Sequence, residues 1–291
     1  MNAIATETDR LAGLAGDYAR DGYLVVPGVL DLAALAAVTS EATAICRGER
    51  GALEGTTLPT PGESDDDVLR RHLCIHFPHK LSPVLEDVAR RPAVVDLLTA
   101  VIGPNVKLVQ TMLFIKSEGR PGQAWHQDEY FIPTRDRSLT AAWAALDDAT
   151  VENGCLWVIP GSHRRGVLYP DREHDSTDFD CTVESYGFAY SAADAVPVEV
   201  PAGSVVLFDG YLLHRSLPNT GAHGMRRAFV SHYMSAESLL PWYPPGAGEW
   251  MGKVDTRDVL LVAGEDPYAF KGTTEVHHPH VRPDGEGGCL R

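Results

Sequence analysis

Hydrophobic and polar positions follow two different periods along this chain, and the change falls near residue 105. Before it the spacing is helical over 7–20, over 31–48 and over 92–102. The second of these begins after Asp31 and repeats Leu32, Leu35 and Val38; the third, PAVVDLLTAVI, stops at Gly103-Pro104. Between the first two, GYLVVPGVL is a short β-branched run bounded by Gly and Pro, which predicts a strand. Residues 51–68 are polar, carry the acidic run Glu63 to Asp67, and predict a surface loop. Beyond residue 105 come VKLVQTMLFIK, QAWHQDEYFI, LTAAWAAL, GCLWVIP, SVVLFDGYLLH and RRAFVSHYM, short β-prone runs separated by turn residues. That texture predicts a sandwich or barrel. Residues 164–198 predict an irregular insertion, Ser117 to Gln123 (SEGRPGQ) a hairpin loop, and the Pro/Gly-rich tail from about 238 (PWYPPGAGEW) a surface wrap. With no internal repeat, the expectation is one domain over 1–291. It would comprise a mostly helical part (1–104), a β core (105–235) and a C-terminal wrap (236–291).

Charge narrows the partners. Asp and Glu number 40 against 25 Lys and Arg, a formal −15, so nucleic acid and anionic membrane surfaces are repelled. A local basic pocket for one anionic ligand remains compatible with that balance. Five cysteines, an odd count without C-x-x-C, fit reduced thiols in a cytoplasmic protein better than a disulfide framework. The first residues lack an apolar signal core, and no run of about 18 apolar residues occurs, so neither a secretory signal nor a membrane span is expected.

The strongest chemical pattern is Trp125-His126-Gln127-Asp128. Residues i and i+2 of a strand face the same side, so His126 and Asp128 can offer an imidazole nitrogen and a carboxylate oxygen to one ion. The best third ligand is His214, expected at the end of the strand SVVLFDGYLLH. Two His and one carboxylate form the open-sided triad of non-haem Fe(II) oxygenases. Twelve residues on, Arg226 opens the next β-like run, with Ala228 and Val230 as its same-face partners. A guanidinium grips a carboxylate in two places and stays charged, which suits the distal carboxylate of 2-oxoglutarate.

The set FIKSEGRPGQAWHQDEYF, ENGCLWVIPGSH and LLHRSLPNTG with a following Arg, opened by DYARDGYLVVPGVLD, resembles the phytanoyl-CoA dioxygenase (PhyH) family over roughly 15–235. The resemblance implies a mainly β fold with flanking helices, a double-stranded β-helix (jelly-roll, cupin-like). It implies a 2-oxoglutarate-dependent dioxygenase using Fe(II) and O2 to oxidise a small molecule. By the same resemblance His126, Asp128 and His214 ligate iron, and Arg226 and Ser216 hold the co-substrate carboxylate. Met112 and Trp143 line that pocket. The stretch from His214 to Arg226 is one residue longer than expected, which keeps Arg227 as an alternative anchor. Asp128 is present, so hydroxylation is favoured over halogenation.

His72, His76 and His79 lie near Cys74 with zinc-like spacing, but no second ligand cluster appears and Pro78 interrupts; pocket-lining or surface roles are preferred. His277, His278 and His280 receive no function. His163 competes with His214 on paper but sits in a turn, and Arg164-Arg165 read as solvated. Gln110, Gln127 and Tyr130 are candidate substrate or co-substrate contacts. Two competing readings stay open: a non-catalytic metal-binding jelly-roll with a binding or regulatory role, and a metal-dependent isomerase or hydrolase. Substrate identity and oligomeric state are not legible.

Overall fold

The computed structural model describes residues 7–238 and 258–282. Its N-terminal part runs α1 (Glu7–Asp21), β1 (Tyr23–Val26), α2 (Leu32–Cys46), α3 (Asp65–Arg70), β2 (Cys74–His76), α4 (Pro83–Ala89) and α5 (Pro92–Val101). Helix α2 starts where the Asp31 carboxylate accepts the Ala34 N–H at 2.8 Å, satisfying a first-turn donor. The acidic run expected in a loop is partly helical instead. Ser64 caps α3, and Asp65, Asp66 and Asp67 fill its first turn, where the helix dipole favours negative charge. Strand β2 and helix α4 were not anticipated, because three and seven residues are too few to establish a period.

The β part follows with β3 (Val106–Lys116), β4 (Gln123–His126), α6 (Asp128–Phe131), β5 (Thr140–Ala145), β6 (Leu156–Val158), β7 (Asp171–Arg172) and β8 (Glu184–Ser185). Then come β9 (Val196–Val198), β10 (Val205–Asp209), β11 (His214–Ser216), β12 (Arg226–Ser235), β13 (Leu260–Ala263) and β14 (His280–Val281). The large sheet has the order β1-β10-β5-β12-β3-β2-β14, with β13 also on β3; the small sheet is β4-β11-β6-β9. Both are antiparallel, and the pair forms the cupin-type jelly-roll.

Alternation along β12 sorts the core. Phe229 and Tyr233 pack with Val38, Ile45, Leu85 and Leu98 under the helices. Ala228 and Val230 turn the other way, joining Met112, Trp143, Leu156 and Val158 between the sheets. Each fully buried side chain of this size contributes roughly 1.5–3 kcal/mol, so the helical layer is needed to cover the outer face of the large sheet.

Two connections differ from expectation. SVVLFDGYLLH is not one strand: β10 ends at Asp209, whose carboxylate accepts the Tyr211 N–H at 2.7 Å and turns the chain across to the small sheet. Residues 117–123 are not a hairpin loop, because β3 and β4 belong to different sheets. This crossover passes so close to β11 that a Cβ on Gly122 would lie 2.0 Å from the Ser216 carbonyl oxygen. The insertion 164–198 is irregular apart from short 3-10 turns, the β7–β8 ladder and β9. The PWYPPGAGEW stretch lies outside the described residues. Residues 258–282 are more than a wrap, since β13 pairs with β3 and β14 with β2. Cys46, Cys74 and Cys155 are buried free thiols, but Cys181 is disulfide-bonded, which corrects the expectation of reduced thiols throughout. No helix among the described residues is long and apolar enough to cross a membrane.

Candidate metal centre and its cavity

His126 and Asp128 do not share a strand as expected: β4 ends at His126, and Asp128 opens α6. Gln127 between them remains extended, with φ −127° and ψ 125°, so the i, i+2 relation survives and both side chains face the cavity. His214 opens β11 and sits directly opposite His126 in register. The Nε2 atoms of His126 and His214 lie 3.7 Å and 3.6 Å from Asp128 Oδ1. One ligand atom from each of the three falls within 4.8 Å of the others, the one such group among the described residues.

Each imidazole is held by its own backbone. His126 Nδ1 donates to the Ala124 carbonyl at 2.8 Å, and His214 Nδ1 to the Leu212 carbonyl at 2.9 Å. A carbonyl only accepts, so Nδ1 carries the hydrogen and the Nε2 lone pair is left for a metal. Burial, with the His214 ring beside it, pushes the His126 imidazole down to about 3. Burial alone would raise the Asp128 carboxyl, but His214, His232 and His126 together hold it well below the ordinary range. Near neutral pH Asp128 is therefore a carboxylate and His126 keeps its Nε2 lone pair, with His214 Nε2 aimed at the same point. That donor set fits a mononuclear ferrous ion with coordination positions left open.

A fourth residue, His232, was not anticipated. Its Nε2 lies 3.1 Å from Asp128 Oδ2, the carboxylate oxygen facing away from the triad contacts, and Gln110 Nε2 lies 3.5 Å from its Nδ1. With Nε2 donating to the carboxylate, Nδ1 is free to accept from the Gln110 amide, so one neutral tautomer satisfies both contacts. The signal was present: stepping by twos from Arg226 through Ala228 and Val230 reaches His232 on the same face.

The triad opens into a cavity of about 460 Å³ whose walls include Met112, Trp143, Ser216 and Arg226. Arg226 is 3% exposed, its Nε has no hydrogen-bond partner, and no ion pair among the described residues involves it. Burial brings its guanidinium down to about 10, and its one evident support is the Trp143 ring, 5.5 Å away. Arg227 points to the opposite side, where Asp147 takes it through contacts of 2.8 Å and 2.6 Å. The alternation thus leaves Arg226, not Arg227, in the cavity. Ser216 Oγ accepts from Lys116 Nζ at 2.8 Å and from the Gln123 N–H at 3.3 Å.

The remaining candidates divide. Gln110 lines the cavity, whereas Gln127 turns away to bond Val167, Tyr211 and Tyr169 backbone atoms. Tyr130 is 47% exposed, its ring edge-on to Phe131, and it is not among the cavity-lining residues. His76 lines the cavity and stacks on His280 with centroids 4.8 Å apart. His72 is buried against Thr56 and Val68, and His79 bonds Thr111, so the three do not converge. His163 contacts the Ala19 carbonyl at 3.2 Å; Arg164 and Arg165 are exposed. His277 and Arg282 of the tail also line the cavity, a contribution that the sequence pattern did not suggest.

Facing antiparallel sheets with a His-x-Asp pair and a distant His at one end define the jelly-roll metalloproteins with an open-sided triad. Within that class, the chain belongs to the phytanoyl-CoA dioxygenase (PhyH) family, whose model matches residues 18–228. It is 32% identical over 163 residues to the phytanoyl-CoA dioxygenase of Arabidopsis thaliana, covering 56% of this chain and 56% of that protein. The chain thus spans little more than half the length of such curated relatives. Among solved structures it resembles the non-heme monooxygenase ThoJ in its apo form (TM-score 0.66, 23% identity, covering 91% of this chain and 88% of that one). It also resembles the epimerase SnoN in complex with Fe3+, alpha ketoglutarate and nogalamycin RO (TM-score 0.62, 22% identity, covering 89% and 98%). These two likenesses establish the fold.

Proposed function

We propose that this protein is an Fe(II)- and 2-oxoglutarate-dependent dioxygenase that hydroxylates a C–H bond of a small molecule, releasing succinate and CO2. One observation carries the reading: a cluster of three potential metal donors and a buried arginine without a protein counter-ion share a single cavity. His126, Asp128 and His214 would hold the iron. Arg226 and Ser216 would hold the distal carboxylate of 2-oxoglutarate, with Met112 and Trp143 as walls. Iron bound there supplies O2 activation and, with 2-oxoglutarate as the electron source, the oxidising power for C–H cleavage.

The chain's own residues do the rest. The Ala124 and Leu212 carbonyls fix both imidazoles in one tautomer. His232 holds the second oxygen of Asp128, so the carboxylate keeps one oxygen for the metal. Phe114, Phe208 and Val230 make the surrounding wall apolar and limit water at the reacting centre. A cavity of about 460 Å³ must take co-substrate and substrate together, which favours a small metabolite or natural product over a bulky ligand held entirely within it. The bound state of SnoN supports the same pairing of iron and co-substrate.

The test begins with anaerobic protein and Fe(II). Adding 2-oxoglutarate should produce the weak visible charge-transfer band of the chelate, and admitting O2 should yield succinate. No band and no succinate would reject the assignment.

A further inference from the structure

We infer that Lys116 is a positioning residue of the anion end of the cavity: it commits the Ser216 hydroxyl to donating, and so makes that end select a carboxylate. This deepens the oxygenase reading and rests on it for the identity of the carboxylate, that of 2-oxoglutarate.

Lys116 ends β3 directly opposite Arg226 on β12 and is 3% exposed. Two basic side chains therefore sit side by side in the interior, and no ion pair among the described residues involves either. Lys116 Nζ is instead surrounded by three neutral oxygens: Ser216 Oγ at 2.8 Å, the Leu217 carbonyl at 2.7 Å and the Gly154 carbonyl at 3.5 Å. In its charged form Lys116 has three hydrogens, and these contacts use all of them and leave none for a ligand. Lys116 acts through Ser216. That hydroxyl has two lone pairs and one hydrogen; Lys116 and the Gln123 N–H take the lone pairs. The hydrogen remains, on a residue that lines the cavity, and the unpartnered Arg226 Nε is a second waiting donor.

Burial and the neighbouring Arg226 push the Lys116 ammonium well below its ordinary range. A carboxylate between Arg226 and Ser216 opposes both effects and favours the charged, three-donor lysine. The packing is built around this ammonium. Gly154 has φ +83°, and a Cβ there would meet the Leu217 carbonyl oxygen at 2.3 Å and Lys116 Nζ at 2.9 Å.

The experiment compares two ligands on the anaerobic Fe(II) protein. One is 2-oxoglutarate; the other is 2-oxopentanoate, which has the same chelating end but no distal carboxylate. Lys116→Met should weaken 2-oxoglutarate by about 10- to 100-fold and leave 2-oxopentanoate within about threefold. Ser216→Ala and the Lys116→Met/Ser216→Ala double variant should agree within about threefold, because the lysine works through the hydroxyl. Catalytic turnover at saturating 2-oxoglutarate should persist in Lys116→Met while KM rises. Equal losses for both ligands, an unchanged 2-oxoglutarate affinity, or additive single losses would overturn the proposal. If Lys116→Met does not fold, Lys116→Gln, which keeps donors for the carbonyls without charge, is read against the same two ligands. Wild-type protein that binds neither ligand would instead sink the oxygenase reading.

Discussion

Replacing Arg226 by Met tests the anion site with two effects of opposite sign. In the ligand-free protein Arg226 is a cation without a counter-ion, and burial brings it from its ordinary range down to about 10. At about 1.4 kcal/mol per pH unit, that represents about 3 kcal/mol of lost charge solvation. The folded value lies below the unfolded one, so throughout the neutral range the unfolded chain carries this charge more favourably. Removing it should raise the stability of the ligand-free protein by about 1–3 kcal/mol, less whatever packing over Trp143 is lost. Co-substrate binding should move the other way. Two charge-assisted hydrogen bonds of about 1.5–3 kcal/mol each correspond to a loss of about 10²- to 10⁴-fold in affinity. Chemical denaturation without ligand gives the first quantity, and anaerobic titration with 2-oxoglutarate gives the second. A variant that is less stable by about 1 kcal/mol or more, or that binds 2-oxoglutarate as tightly as wild type, would refute the reasoning.

Three further outcomes follow from the geometry. His232→Phe removes the donor 3.1 Å from Asp128 Oδ2 and should lower metal affinity by about 10- to 100-fold, read by Fe(II) or Co(II) titration. Arg227→Ala strands Asp147 and should cost about 1–2 kcal/mol of stability in a denaturation curve, with 2-oxoglutarate affinity unchanged. Burial lowers His76 to about 3 and His79 to about 4 from 6.5, so the unfolded chain takes up protons first on acidification. Metal-free protein should therefore be fully stabilised by these groups above pH 6.5 and lose that contribution progressively as pH falls towards 4. A His76→Asn/His79→Asn variant should flatten that slope in thermal melts; an unchanged slope would remove both residues from the account.

Much of the centre was legible because period-two alternation survives folding. It placed Arg226 with Ala228 and Val230, separated Arg227 from them, and applied to His126 and Asp128 even though the strand stops between them. The same rule extends to His232, but a strand pattern does not reveal which residue will lie opposite, and Asp128 arrives from another sheet. His76, His277 and Arg282 were illegible as cavity residues for a related reason. Their meeting depends on β14 adding to β2, a pairing between distant segments that leaves no local trace. The break between β10 and β11 was missed because Asp209, Gly210 and Tyr211 interrupt an otherwise continuous apolar run only briefly.

The adjacent arginines at the start of β12 also bear on how folding errors would show themselves. Shifting that strand by a single residue would still present a guanidinium to the interior, because Arg227 would replace Arg226. Phe229 and Tyr233 would then swing in from the helical layer, and His232 would leave its carboxylate. Such a misregistered molecule could pass a simple anion-binding check. Metal binding at the proposed site, which is expected to weaken once His232 leaves Asp128, is the stricter inspection of a correctly assembled chain.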